Sequence, residues 1–181
     1  MADFTQSVTQ TLLAHQNLTL GSNAIGADVD CSSWLAVQVT GWLANTTTTA
    51  NVTGVAFIIQ GSIEASGNDW IDLVRFTGST TAATSVAFAA AEAIGSTALD
   101  VAATAGFTVG ELIYLLDATG VAESEWAEIV NVVVNTLLTI MDGLIVAKAQ
   151  TADTILDQAQ RFSALVQCDG LKRIRAVVVH Q

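Results

Sequence analysis

The segment Phe57–Phe76, with the sequence FIIQGSIEASGNDWIDLVRF, constrains the fold of this chain more than any other segment. Two apolar runs flank the polar turn Ser66-Gly67-Asn68-Asp69, and Gly, Asn, Asp and Ser are the residues that tight turns favour. In the first run, apolar side chains recur at Val55, Phe57 and Ile59, which is the period of a strand with one buried face. The segment therefore predicts a long β-hairpin in a packed sheet.

Strands of similar length are predicted on both sides of this hairpin and near the end of the chain. Alternating apolar and polar residues, bounded by turn residues, predict strands at Val8–Ala14, Ser33–Leu43, Val52–Glu64, Trp70–Thr77, Phe162–Val166 and Leu171–Val179. The last two are predicted to form a terminal hairpin around the turn Cys168-Asp169-Gly170. Many short strands separated by polar turns are typical of a β-sandwich or barrel.

The character of the sequence changes at about Ser85. The segment Ser85–Ala105 is rich in Ala but is interrupted by Gly95 and β-branched residues, so we predict irregular structure or short strands there. Short apolar segments bounded by Gly, Asn or Asp follow, with acidic residues at their ends, where a small barrel would expose them: Glu111, Asp117, Glu123, Glu125 and Glu128. The simplest topology is a β-sandwich of residues 1–83 and 158–181 that carries an inserted, barrel-like β-module of residues 84–157.

Composition and charge narrow the classes of partner. The chain has 181 residues, a formal net charge of −11 and six Lys and Arg residues in total, which argues against binding to nucleic acid. Its longest uncharged apolar-rich segment, Ile129–Met141, is shorter than the roughly 20 residues of a membrane-spanning helix. The first residues, MADFTQSVTQ, lack the basic and apolar regions of a secretory signal. We expect a soluble protein made in the cytosol.

The low share of charged residues predicts association between copies of the chain. Only 13% of the residues are charged, whereas 51% are hydrophobic, and about 25% charged residues is usual. A soluble chain with such a surface is most simply explained by burial against copies of itself. We therefore predict a homo-oligomer, and a trimer as the first choice.

Four of the six basic residues lie in the last part of the chain and form the first candidate binding site. These are Arg161, Lys172, Arg173 and Arg175. One interpretation is that Arg173 and Arg175, at period two, form the polar face of an exposed terminal strand. The other is that this strand docks on an acidic partner surface. The sequence leaves both open.

Trp70, flanked by Asp69 and Asp72, is the second candidate site. An exposed Trp beside two carboxylates is a possible platform for a glycan. The alternative is that Trp70 packs in the sandwich while Asp69 caps the turn. Other chemistry finds less support, because His15 and His180 are far apart in sequence and no phosphate-binding or nucleophile motif occurs.

Metal and disulfide chemistry are not predicted either. Asp28 and Asp30 could offer oxygens to Ca²⁺, but the acids and the bidentate Glu of a loop site are missing. Cys31 and Cys168 do not form a C-x-x-C motif, and we interpret them as free buried thiols, with a disulfide as the lesser alternative. We predict no cofactor, no metal site and no catalytic residues.

Four segments of the chain carry a resemblance to a known class of protein. They are Ile59–Leu73 (IQGSIEASGNDWIDL), Ala105–Asp117 (AGFTVGELIYLLD), Trp126–Val132 (WAEIVNV) and Thr136–Leu144 (TLLTIMDGL). Together they resemble tailed-bacteriophage virion proteins, above all capsid decoration (cement) and head-surface proteins. In that class, a Gly-Ser hairpin ending in Trp and a Gly-Phe-x-Val-Gly module followed by two further strands recur on jelly-roll-like scaffolds. The resemblance covers about half of the chain. It implies a jelly-roll-like sandwich in a symmetric virion protein and transfers no catalytic residue.

Two functions of different classes follow. The leading hypothesis is a non-enzymatic capsid decoration protein that is assembled in the host cytoplasm and binds the major capsid protein lattice on the outside of a phage head. The alternative is a carbohydrate- or receptor-binding β-sandwich of a tail or head-fibre adhesin, which depends on four tryptophans: Trp34, Trp42, Trp70 and Trp126. An enzyme is the least supported class, because no catalytic constellation is found.

Overall fold

The structure, a computed structural model, describes residues 10–16, 18, 22–46, 48 and 54–180. Within these ranges the chain is all-β, with curled antiparallel sheets that include a half-barrel, and its only helical element is a 3₁₀ turn at Val121–Glu123. The predicted all-β class is thus confirmed. Among the residues described, no helix is long and apolar enough to cross a membrane.

The described residues form thirteen strands. Their bounds are β1 Asn23–Ile25, β2 Val29–Asp30, β3 Ala36–Ala44, β4 Val55–Ser62, β5 Ile71–Thr77, β6 Ser85–Ala87, β7 Ala98–Asp100, β8 Leu112–Leu116, β9 Glu125–Val133, β10 Leu137–Ile140, β11 Thr154–Leu156, β12 Ala159–Gln167 and β13 Arg173–His180.

These strands form three sheets. The major sheet has the order β1-β13-β4-β5, with β2 also paired to β13. The ribbon consists of β3 and β12, which pair over nine residues from Ala36↔Gln167 to Ala44↔Ala159. The half-barrel sheet has the order β6-β11-β8-β9-β10-β7. Its strands all lie within residues 84–157, and the strands of the other two sheets all lie outside that range. Independent folding of the inserted part stays a prediction.

The central hairpin prediction is confirmed. Strands β4 and β5 pair antiparallel, with Phe57 opposite Phe76 and a register shift after Ile59. Gly67 has a φ of 100°, a conformation that only Gly adopts without strain, so it fits the tight turn between them. The first strand of the hairpin, predicted to end at Glu64, ends at Ser62, and Ile63 just beyond it is exposed.

Two predicted strands or pairings are wrong. Residues 10–14 of the predicted strand Val8–Ala14 do not form a strand, and Val8 and Thr9 lie outside the described residues. The predicted terminal hairpin does not form either, because β12 pairs with β3 whereas β13 pairs with β1, β2 and β4. Apolar alternation shows that a strand has one buried face but does not specify its partner.

The turn at Cys168-Asp169-Gly170 passes the chain from the ribbon to the major sheet. Cys168 N–H donates to the Leu35 carbonyl at the end of the ribbon, and Lys172 N–H donates to the Ser62 carbonyl of β4. Strand β13 then runs between β4 on one side and β1 and β2 on the other. The expectation that the terminal strand is an exposed edge is therefore wrong.

The ribbon packs against one face of the major sheet. Val39 and Val166 of the ribbon contact a buried cluster that includes Phe57, Ile59 and Val178 of the major sheet. The Phe162 ring lies 4.6 Å from the Phe57 ring and 4.4 Å from the Phe76 ring, centroid to centroid. Leu12, Leu13 and Leu18 pack on the same cluster, which explains the apolar pattern near the N-terminus without a strand.

The half-barrel sheet encloses one continuous core. Twelve buried residues form it: Val86, Phe88, Leu99, Val101, Phe107, Ile113, Leu115, Ile129, Leu138, Ile140, Leu144 and Ile155. A separate small cluster joins this sheet to the ribbon, with Ala83, Tyr114 and Leu156 packed against Ala44 and Ala159. The two regions therefore touch through a few small and aromatic side chains.

Cys31 and Cys168 are free and buried, as predicted. The two residues pack in one buried cluster with Leu171 and Ile174, which the sequence did not indicate. Burial, with the neighbouring thiol, raises the pKa of Cys31 to about 11, and burial also raises the pKa of Cys168. Both thiols are therefore protonated and weakly nucleophilic near neutral pH.

Candidate functional site

Arg173, Arg175 and Trp70 form one cluster beside the turn of the β4–β5 hairpin. The guanidinium carbons of Arg173 and Arg175 lie 4.6 Å and 4.0 Å from the centroid of the Trp70 ring, within the range of cation–π attraction. Arg173 forms an ion pair with Asp28 and donates to the carbonyls of Glu64 and Gly67. These contacts fix the turn to β13.

A chain of hydrogen bonds connects the same cluster to Asp72. Arg175 Nε donates to Gln60 Oε1 at 3.0 Å, and Gln60 Nε2 donates to Asp72 Oδ1 at 2.7 Å. The structure thus brings together Arg173, Arg175, Trp70 and Asp72, which the sequence had assigned to two separate sites.

The remaining predicted residues lie apart from this cluster. Asp69 is exposed in the turn, Lys172 is exposed just before β13, and Arg161 is exposed on β12. The face of Trp70 is in contact with two guanidinium groups, so a glycan could stack there only by displacing them. The contacts of the cluster hold the β4–β5 hairpin in place against β13.

A second candidate site is a groove along the free edge of β3. Strand β3 pairs with β12 on one side, and no described strand pairs with its other side. The groove has a volume of about 990 Å³ and is lined by every residue from Ala36 to Thr46, by the segment Gln10–Gln16 and by Val178 of β13. Both faces of β3 therefore line the groove, because the groove follows the strand edge.

The groove carries no formal charge. None of the described residues that line it is Asp, Glu, Lys or Arg. Besides the imidazoles of His15 and His180 and the Tyr114 hydroxyl, its polar side chains are amides and hydroxyls, which belong to Gln10, Thr11, Gln16, Gln38, Thr40, Asn45, Thr46, Ser79, Gln158 and Gln160. This neutrality is unusual in a chain of net charge −11. The sequence analysis missed this site because its lining comes from segments that are distant in sequence.

Aromatic rings close one end of the groove. His15 Nε2 and the Tyr114 hydroxyl lie 2.9 Å apart, and the His15 and Trp126 ring centroids are 4.5 Å apart. The Tyr114 and Trp126 centroids are separated by 4.9 Å, and those of Trp42 and Trp126 by 6.3 Å. Burial lowers the pKa of His15 and raises the pKa of Tyr114. The N-terminal segment is thereby held against the half-barrel sheet.

A third feature is a buried lysine in the half-barrel region. The Lys148 side chain is fully buried, and its Nζ lies 3.7 Å from Asp117 Oδ2 and 3.6 Å from Glu125 Oε1. It also donates to the Glu123 carbonyl. Two carboxylates predicted to form an exposed acidic rim, Asp117 and Glu125, are thus mostly buried around one cation, so that prediction is wrong for both.

Neighbouring groups support this ion cluster. Burial by itself raises the pKa of Asp117, but the hydroxyl and amide of Thr119 and the charge of Lys148 together bring it below its ordinary value. Glu125 accepts a hydrogen bond from Ile145 N–H at 2.9 Å. Every member is therefore paired, as a buried charge requires. One signal of this cluster is visible in the sequence, a lone Lys in the apolar segment IVAKAQ.

Exposed apolar side chains occur in all three sheet regions, and those in or beside the major sheet are Ile25, Ile63 and Ile71. On the ribbon and its end they are Leu35, Trp42 and Leu165, and beside the turns of the half-barrel sheet they include Ile94, Met141 and Ile145. The turns that carry Ile94 and Ile145 are joined by a hydrogen bond from Gly95 N–H to the Leu144 carbonyl. The exposed fractions of Ile94 and Ile145 are 70% and 76%.

Asp28 and Asp30, the two acids considered for Ca²⁺, form contacts with other protein groups. Asp28 binds Arg173, and Asp30 accepts a hydrogen bond from the Ser32 amide, which lowers the pKa of Asp30. In the described part of the chain, no three His, Cys, Asp or Glu side chains converge in a way that could hold a metal ion.

Comparisons of the sequence with protein-family models and with curated proteins, and of the fold with solved structures, find no match. The function must therefore be argued from the surfaces described above.

Proposed function

We propose that this chain is a structural virion protein, most simply a decoration protein that binds and stabilises the outside of a phage capsid. The observation that carries the proposal is that exposed apolar side chains occur on separate sheets, among them Trp42 and Leu165 on the ribbon and Ile94 and Ile145 beside the half-barrel sheet. Exposed apolar side chains that are clustered mark protein contacts.

Exposed apolar side chains on separate sheets allow one chain to contact two neighbours at once. A decoration protein needs this property, because it must hold copies of itself and also grip the lattice of the major capsid protein. The net charge of −11 supports a role on the outside of the shell, because an acidic surface repels the packaged nucleic acid. The proposal includes a homo-oligomer, with a trimer as the prediction from sequence, and a jelly-roll-like arrangement of the ribbon and the major sheet.

Immunogold electron microscopy tests the location. Particles of the phage that encodes the chain are purified and labelled with an antibody raised against the recombinant protein. We expect gold on the outside of the head. Absence of the protein from the purified particles, or gold confined to the tail, would contradict the proposal.

A paired substitution tests the apolar surface of the half-barrel sheet. Because Ile94 and Ile145 are exposed, the double variant Ile94→Asp/Ile145→Asp should fold normally but should lose occupancy on particles grown without the wild-type protein. The control is Asn131→Asp, which adds a charge at an exposed position of β9 in the same sheet. Equal occupancy of both variants would show that this surface does not bind the capsid.

Binding of a neutral carbohydrate is a second candidate function, favoured by the uncharged groove with Trp42 at its edge. Sugars without charge are bound by stacking on aromatic rings and by hydrogen bonds to amides and hydroxyls, and the groove supplies both. Titration with maltoheptaose and cellohexaose, followed by tryptophan fluorescence, tests it. A saturable change that Trp42→Ala abolishes would support this function, and an unchanged spectrum would count against it.

A further inference from the structure

We propose that Cys31 and Cys168 are a disulfide-forming pair, and that their oxidation joins the major sheet to the ribbon by a covalent bond. The structure describes the reduced state, in which both cysteines are free. The proposal rests on the proposed function only for its setting, because a capsid protein leaves a reducing cytosol for an oxidising exterior, where disulfides persist. The bond would therefore close after the particle is released.

The first argument is that the two cysteines begin two matching connections. One connection runs from β2 to β3 over residues 31–35, Cys-Ser-Ser-Trp-Leu, and the other runs from β12 to β13 over residues 168–172, Cys-Asp-Gly-Leu-Lys. Each has five residues, and the two cross between the major sheet and the ribbon in opposite directions. A bond between their first residues would therefore cross-link both connections.

The hydrogen bonds of the two connections are symmetric under exchange of the two cysteines. Within each connection, the amide of the fourth residue donates to the carbonyl of the cysteine, at 2.9 Å in both cases. Between the connections, Cys31 N–H donates to the Lys172 carbonyl at 3.0 Å, and Cys168 N–H donates to the Leu35 carbonyl at 2.8 Å. The first residue of each connection is thus bonded to the last residue of the other, which brings the two cysteines together.

The second argument is that both side chains enter the same core. Cys31 and Cys168 have exposed fractions of 0% and 1%, and they pack in one buried cluster with Leu171 and Ile174. Burial raises the pKa of Cys31, and the nearby Cys168 thiol adds to this rise. A disulfide between the two residues would therefore form without moving either side chain out of this core.

The third argument concerns the place where the bond would act. Strand β2 has two residues, and among the described strands it pairs only with β13. The bond would hold the end of this short strand against the end of the ribbon. It would also close a loop of more than one hundred residues in the unfolded chain, and stabilisation by a disulfide grows with the length of the loop.

The oxidant is a low-molecular-weight disulfide, for which oxidised glutathione is the probe. The thiolate of one cysteine attacks a glutathione sulfur, so that a mixed disulfide forms and one glutathione thiolate leaves. The thiolate of the other cysteine then attacks the protein sulfur of the mixed disulfide, which closes the protein disulfide and releases the second glutathione thiolate. The two cysteine protons pass to the released thiolates, so the pair loses two electrons and oxidised glutathione gains them. Because both thiols are buried and protonated, the exchange should be slow in the native protein.

Equilibration with glutathione measures how strongly the folded structure favours the bond. The full chain, native or unfolded in urea, is incubated at a series of ratios of reduced to oxidised glutathione, starting from the reduced and from the oxidised protein. After acid quenching and alkylation of free thiols, mass spectrometry gives the fraction of chains with the intramolecular bond. We expect the effective concentration of the two thiols to be at least about thirtyfold higher in the native than in the unfolded chain.

The matched control places one thiol outside the core. Ser33 lies in the same connection as Cys31 and is exposed, so the double variant Cys31→Ser/Ser33→Cys keeps almost the same loop length. We expect its native state to show no such increase. Equal effective concentrations in native and unfolded wild type, an equal increase in the variant, or wild-type disulfides that join two chains would overturn the proposal. The wild-type comparison decides by itself if the variant fails to fold.

Urea unfolding provides an independent measurement. By thermodynamic linkage, a bond that forms more readily in the native state must stabilise that state by the same factor. Oxidised wild type should therefore unfold at a higher urea concentration than reduced wild type, whereas Cys168→Ser should unfold at the same concentration with and without oxidant. Equal midpoints for the two wild-type forms would overturn the proposal. Because purified protein is used, immunogold labelling of particles still decides the decoration function separately.

Discussion

The half-barrel sheet and the ribbon with its major sheet bury their apolar residues in different ways. Twelve buried side chains form one cluster in the half-barrel sheet, and Lys148, which lies in a connection of the same region, is paired with two carboxylates. The core between the ribbon and the major sheet has six buried residues surrounded by partly buried ones, and it borders an open groove. The first region buries its apolar residues in one continuous cluster, whereas the core of the second region is smaller and is bordered by the groove.

Removal of residues 79–156 is the most severe test of whether the two regions fold separately. Joining Gly78 to Asp157 through a short Gly/Ser linker deletes the whole half-barrel sheet but no strand of the other two sheets. The lost contacts are the small cluster around Tyr114 and Leu156 and the aromatic contacts of His15 and Trp42 with Trp126. They are few, so we expect a soluble product with β-type circular dichroism and unchanged association. An unfolded or insoluble product would show that the two regions share one core.

Substitution of Lys148 should have the next largest effect. Lys148→Met leaves Asp117 and Glu125 buried without their cation, and breaking a buried ion cluster in this way costs about 3–5 kcal/mol. Urea unfolding measures the loss. Lys172→Met, at an exposed lysine, should change the free energy of unfolding by less than about 0.5 kcal/mol. If Lys148→Met changed the free energy of unfolding as little as Lys172→Met, the ion cluster would contribute nothing to stability.

Truncation of a side chain in the core between the ribbon and the major sheet should lower the free energy of unfolding by a comparable or slightly smaller amount. Ile59 is fully buried and Phe57 nearly so, and removal of such side chains costs about 2–5 kcal/mol. Glu64→Ala, at an exposed position, should be nearly neutral. If the two regions unfold separately, Ile59→Ala and Lys148→Met should each shift a different transition in the urea curve. One shared transition would indicate that the regions are coupled.

The smallest expected effect concerns the contact between His15 and Trp126. Because burial lowers the pKa of His15 below 6.5, the packed segment favours neutral imidazole. Its contribution to stability is present above pH 6.5 and declines as the pH falls toward the lowered pKa. Tryptophan fluorescence should therefore change between pH 7.5 and 5, and His15→Gln should remove that change. An identical pH response in the variant would assign it to another group.

The parts of the fold that the sequence predicted well are local. The hairpin around Gly67 is encoded by adjacent residues, because alternation and turn chemistry act over a few positions. The pairing of β12 with β3 was missed, since it joins residues more than one hundred positions apart. No local pattern distinguishes that partner from β13, which follows β12 immediately.

The candidate sites show the same limit. The period-two spacing of Arg173 and Arg175 correctly places both on one face of β13, where both contact Trp70. The acids around Lys148 were interpreted as solvent-exposed, because sequence alone cannot show that three distant segments enclose a cation. The β3 groove was missed for a related reason: its significance depends on which strand edges the fold leaves unpaired.

The burial of Lys148 has a practical consequence for following the protein in solution. The chain contains two lysines, and Lys172 is exposed whereas the Lys148 side chain has no solvent-accessible surface. An amine-reactive label should therefore modify Lys172 at once but should reach Lys148 only when the half-barrel sheet opens. The ratio of the two labelled peptides in mass spectrometry, followed over time, would then report the rate of that opening, in the free protein or on a particle.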